Sequence, residues 1–143
     1  MQTRIGALIL FILLALIAFS ELIFSNLGTL SGDLAGAAQM LGLTPAQERT
    51  RLFILITLDA IAGVGALLAI IGLLARNKLI AYGASLCAIG FLAYAIYQIF
   101  AALTQLSATV RLPVIVAGAL YTLLSVAAWF TGRRAAALAR IAQ

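Results

Sequence analysis

Histidine is absent from this chain, and cysteine occurs once, at Cys87. The first absence removes the usual haem ligand, the commonest zinc ligand and the commonest general base. The second excludes an internal disulfide. Cys87 lies deep in an apolar run, where a small core residue is expected rather than a reactive thiol. Acids are scarce too, with four Asp and Glu against nine Lys and Arg. All charged residues together make up 9% of the chain, where soluble domains carry about a quarter. There is no Gly-rich phosphate loop, no cysteine cluster and no Ser-His-Asp set. No catalytic residue, metal site or cofactor is therefore expected, and the chain reads as a non-enzyme.

What is present in quantity is hydrocarbon. Apolar residues make up 65% of the 143 positions, and mean hydropathy is +1.19. A water-soluble domain of this size could not hide so much apolar surface, whereas a bilayer removes the need to. The fold class expected is an all-α integral membrane protein, a bundle of four transmembrane helices in a single domain. The spans are expected at residues 5–24, 45–75, 79–105 and 112–131, each long enough to cross ~30 Å of hydrocarbon. A basic tail, 132–143, follows. The first span has Arg4 ahead of an apolar run and an Ala18-Phe19-Ser20 triplet that loosely fits a cleavage site. The apolar run continues through Leu22, Ile23 and Phe24, so a retained helix is expected.

The net charge of +5 is read as orientation, not as nucleic-acid binding. Four spans put both termini on one side, together with Arg4, Arg76, Lys78, Arg133, Arg134 and Arg140. Arg49, Arg51 and Arg111 lie on the other. The positive-inside rule places the termini in the cytoplasm, and a bacterial inner membrane is the expected location. Trp129 and Tyr82 then fall towards the inner interface, Phe24 and Phe53 towards the outer.

The long outer loop, 25–44, carries Leu30, Leu34, Ala37, Ala38 and Leu41 at helical spacing. This pattern predicts a short amphipathic helix on the outer surface, stopped by Gly42. Thr44-Pro45-Ala46-Gln47 reads as a fresh helix start, with Thr44 as N-cap and Gln47 completing a capping box. Pro113 is expected to open the fourth helix, and the Ala-rich tail to extend it along the inner surface.

Helices in lipid associate through small residues and interhelical hydrogen bonds. Gly63, Gly65, Ala69 and Gly72 in the second helix, with Gly83 and Gly90 in the third, predict a tight antiparallel pair across the short Arg76-Asn77-Lys78 hairpin. Tyr121, Thr122 and Ser125 of the fourth helix are explained by back-bonding or interhelical contact.

Two acids, Glu21 and Asp59, stand inside spans, where an ionisable group is a functional-site hypothesis by default. Both fall in the outer half. Tyr94, Tyr97 and Gln98 share one face of the third helix at the same level. The expected polar pocket is therefore Glu21, Asp59, Tyr94, Tyr97 and Gln98, with Thr57 and Ser20 nearby. The plainer alternative makes Asp59 a hydrogen-bond node or the partner of Arg51 or Arg111.

The leading functional expectation is a small non-catalytic accessory or structural subunit of a larger assembly, with lipid and protein partners or copies of itself around it. The alternative is an oligomeric transport or small-ligand module, with an ion, a lipid headgroup or a quinone headgroup at the pocket. A quinone-linked redox partner with its cofactors on another subunit is the third.

Overall fold

The computed structural model describes residues 2–141. The last two tail positions, 142 and 143, lie outside the described residues. Within them the chain is helical: α1 (Gln2–Ser20), a π-helical stretch (Glu21–Leu27), α2 (Gly28–Ser31), α3 (Leu34–Leu41), α4 (Pro45–Ala75), α5 (Leu79–Thr104) and α6 (Ala108–Ile141). Four rods are long and apolar enough to cross a membrane: Thr3–Ser31, Pro45–Ala75, Leu79–Thr104 and Ala108–Ile141. They run alternately up and down. The starts of α1 and α5 and the ends of α4 and α6 gather at one end of the bundle, the terminal end. The other, the loop end, carries α3.

Each boundary has a local cause. The chain leaves α2 at Gly32, and the Asp33 carboxylate accepts from the Gly36 amide at 3.0 Å to start α3. Gly42, at φ 77°, ends α3 in the left-handed region that glycine adopts without cost. The Thr44 cap forms as expected, with Gln47 N donating to Oγ1 at 3.2 Å and Thr44 N donating to Gln47 Oε1 at 2.9 Å. Arg76 closes α4 at φ 55°, and Asn77 Oδ1 receives the Leu79 amide at 2.9 Å to open α5. Two arginines satisfy helix-end carbonyls. Arg4 reaches Leu73 and Leu74 at the end of α4, and Arg111 reaches Ala102 and Leu106 at the end of α5.

Three expectations are corrected. The first rod does not stop at residue 24 but runs on through the π-helical stretch to Ser31, so Leu30 belongs to it and the loop helix shortens to Leu34–Leu41. Pro113 sits inside α6, which begins at Ala108. As the sixth residue of that helix, Pro113 offers no N–H to the Thr109 carbonyl four residues back, so the second turn lacks that backbone bond. The third helix ends at Thr104.

Packing is inside-out relative to a water-soluble bundle. The interior is made mostly of small residues (Ala7, Ala18, Ala62, Ala66, Ala69, Ala84, Ala88, Ala128) with a few large ones such as Phe11 and Phe91. Large apolar side chains ring the outside, with Phe24 80% and Leu112 70% exposed. That distribution fits hydrocarbon as the surrounding medium.

At the α4–α5 seam the backbones almost touch. A Cβ added to Gly65 would meet the backbone of Cys87, one on Gly72 that of Ile80, one on Gly83 that of Ala69, and one on Gly90 that of Ala62. Gly63 faces elsewhere: its missing Cβ leaves room for the Phe19 ring of α1. Ser125 Oγ ties α6 to α5 by donating to the Ala88 carbonyl at 2.7 Å, and Thr122 bonds back to Gly118. The α3 helix buries Ala38 against Ala102 and Leu106, and Leu41 O accepts from Ser107 N at 2.9 Å.

Candidate functional site

Apart from Ser125, the buried polar side chains form two layers. The one nearer the loop end comes from the first turns of α4. Glu48 is fully buried, and its two oxygens accept from Arg51 Nε and Nη2, each at 2.9 Å. Arg51 Nη1 donates to Gln98 Oε1 at 3.1 Å, so the guanidinium spans α4 and α5. Tyr97 is half-buried beside this pair. The charges cancel, and the forked geometry is the strong form of the interaction.

Deeper by eight residues of α4, or ~12 Å along the axis, lies Asp59, 1% exposed. Asn26 Nδ2 donates to its Oδ2 at 2.8 Å. Its Oδ1 is buried with no hydrogen-bond partner. Glu21 stands close enough to repel it. The Tyr94 hydroxyl donates to Glu21 Oε1 at 3.0 Å, and Ser25 Oγ donates to Oε2 at 3.2 Å. The Tyr94 ring stacks on Tyr121 of α6, centroids 4.4 Å apart, and Phe91 lies 5.5 Å from Tyr121. This layer therefore draws on all four rods. It holds two carboxyl groups, and no Lys or Arg bonds to either among the described residues.

The π-helical stretch explains how Glu21 and Asn26 face the same way. In an α-helix, residues five apart point ~140° from each other. The wider π turn closes i to i+5, bringing the fifth residue back over the first. Glu21 can then meet Tyr94 while Asn26 meets Asp59, both from one strand of chain.

Of the residues expected in one pocket, Glu21, Asp59 and Tyr94 come together. Gln98 and Tyr97 do not join them: Gln98 shares the Tyr94 face but sits a turn nearer the loop end, where it meets Arg51. Of the plainer alternative for Asp59, the hydrogen-bond node is present, with Asn26 as donor, while Arg51 and Arg111 bond to other groups. Thr57 bonds back to Phe53 O, and Ser20 is exposed.

No family model matches this chain, no curated protein matches it, and no solved structure matches it. Its site is read from its own geometry.

No group of three or more His, Cys, Asp or Glu that could hold a metal occurs among the described residues. Two carboxyls with amide and phenol oxygens nearby form a different kind of site: hard, anionic and partly unsatisfied. Such a group demands a positive partner, because an uncompensated charge out of water costs several kcal/mol. A proton or a small cation meets that demand.

Proposed function

We propose that this chain is a multi-pass protein of a bacterial inner membrane, with both termini in the cytoplasm, and that its interior acidic layer binds an exchangeable cation. The simplest occupant is a proton, and a small monovalent cation is the competitor for it. The protein acts as a transport or ligand-binding module and not as an enzyme. The observation that carries this reading is the buried, partnerless Oδ1 of Asp59 beside a second carboxyl. An ionisable group at membrane depth is a functional-site hypothesis by default, and ion and proton paths are among the roles such groups mark. π-Helical turns concentrate at functional sites for a related reason, since they aim side chains that an α-helix could not.

Proteoliposomes holding a pH-sensitive dye test the proposal. Under an imposed membrane potential, the wild type should pass protons, or protons in exchange for sodium or potassium. Asp59→Asn should reduce that flux to the level of empty vesicles. Equal flux from both proteins would overturn the reading.

A second reading has its own observation. A groove of about 390 Å³ runs along α1 and α4, lined by Ile12, Leu16, Phe19 and Leu67. It suits an apolar helix of another subunit or of a second copy, as an accessory subunit requires. Mass spectrometry after gentle-detergent extraction tests this reading, and a lone monodisperse chain counts against it.

A further inference from the structure

The kind of cation that suits the acidic layer follows from the groups around its carboxyls. Among the described residues, three hydrogen bonds reach them. The Tyr94 and Ser25 hydroxyls hold the two oxygens of Glu21, and the Asn26 amide holds Asp59 Oδ2. Three of the four carboxyl oxygens thus carry a donor hydrogen. The fourth, Asp59 Oδ1, is buried and bare.

A sodium or potassium ion leaving water must replace its hydration shell with a ring of oxygen lone pairs. Membrane proteins commonly complete that ring with carbonyls from broken helices. Here α4, α5 and α6 run unbroken past the layer. In the π-helical stretch, the Ser25 carbonyl already accepts from Thr29 Oγ1 at 2.7 Å. Asn26 turns its amide hydrogens, not its carbonyl, towards Asp59. A metal ion would have to rotate that amide and pull Tyr94 and Ser25 from their acceptors. A proton needs a single lone pair, and Asp59 Oδ1 offers one.

The two carboxyls are also unequal. Glu21 is half-buried, and charge-assisted bonds from two hydroxyls hold it. Adding a proton to it would force one of those hydroxyls to turn round. Asp59 is 1% exposed, and adding a proton at Oδ1 displaces no partner. It also ends the repulsion from Glu21. The other groups facing Asp59 are the Asn26 amide of the first rod and the phenols of Tyr94 on α5 and Tyr121 on α6. The Glu48–Arg51 pair lies ~12 Å away along α4.

We propose that the acidic layer carries one proton per chain, on Asp59 Oδ1, with Glu21 as the fixed anion beside it, and that it excludes sodium and potassium. The proposal rests on the layer being the exchangeable cation site described above. The proton comes from water, forms an O–H bond at Oδ1, and takes the layer from two negative charges to one.

Proteoliposomes of the full chain test it, with a pH-sensitive dye inside and radioactive sodium or rubidium outside. Under an imposed membrane potential, proton movement should be equal in sodium, potassium and choline media. Tracer uptake should be no greater than in empty vesicles. Tracer uptake that is lost in Asp59→Asn would overturn this inference and leave the cation site standing. No Asp59-dependent movement of any ion would overturn both. Two readouts need no variant. Sodium or potassium should raise the thermal midpoint of the chain in detergent no more than choline does at equal ionic strength, because a ligand of the folded state stabilises it. A specific rise with either metal would overturn the proposal. In infrared spectra of the reconstituted chain, isotopically labelled glutamate should leave the carboxylic acid band in place. A shift of that band would put the proton on a glutamate and overturn its assignment to Asp59.

Discussion

The two polar layers of the bundle both take carboxyl groups into the interior and reach opposite outcomes. Near the loop end, Glu48 and Arg51 are one helical turn apart on α4, and Gln98 accepts from the third guanidinium nitrogen. Every charge has its opposite, so that layer holds shape. Deeper in, Glu21 and Asp59 come from different rods, share no basic partner among the described residues, and leave one oxygen bare. Selection for stability alone would favour replacing that layer with apolar side chains, since a half-satisfied polar network is worse than none. The contrast separates a structural polar layer from one whose unmet demand is its use.

The contrast makes quantitative demands. The largest effect belongs to the balanced layer: Arg51→Leu strands a buried carboxylate and should cost about 3–5 kcal/mol, read as a lowered thermal midpoint in detergent. Glu48→Leu added to it should restore most of that loss, and a double variant no more stable than Arg51→Leu alone would erase the distinction. Next, Asn26→Leu removes the one donor to Asp59 and should cost about 1–3 kcal/mol. Asp59→Asn should change stability by less than about 1 kcal/mol, or raise it, because it relieves a repelled and partly unpaired carboxylate. A loss as large as that of Arg51→Leu would show both layers to be structural. The smallest effect is expected from deleting Ile23, which is half-exposed on the π-helical stretch. The deletion lets the turn relax to α while Glu21 and Asn26 become four apart and stay on one face. Stability should be kept within about 1 kcal/mol, and the cation flux should survive. Inserting an alanine after Ile23 should abolish the flux.

Much of the architecture was legible in the residues. Hydropathy located the four rods, Thr44-Pro45-Gln47 located the start of α4, and Gly42 located the end of α3. The Gly and Ala stripes of α4 and α5 pointed to their close seam, because small side chains have no other use on so apolar a helix. What stayed hidden was geometry set between elements. Asn26 read as a loop residue, because only a π turn carries it inward, and no composition rule announces that turn. Glu48 carried no signal of its own in the sequence, and its burial in the first turn of α4 depends on what packs over it. Gln98 was assigned to Asp59 because a shared helix face fixes direction but not height, and one turn moved it to another layer. Gly63 looked like part of the α4–α5 stripe, yet it makes room for Phe19.

The central claim is that the Asp59 carboxyl exchanges its occupant while Glu48 does not. Isotope-edited infrared spectroscopy, with labelled aspartate in the protein reconstituted in lipid, addresses it directly. The account predicts a carboxyl band that responds to pH or to added sodium or potassium and that vanishes in Asp59→Asn. A band from Asp59 that stays fixed through all of these changes would contradict it.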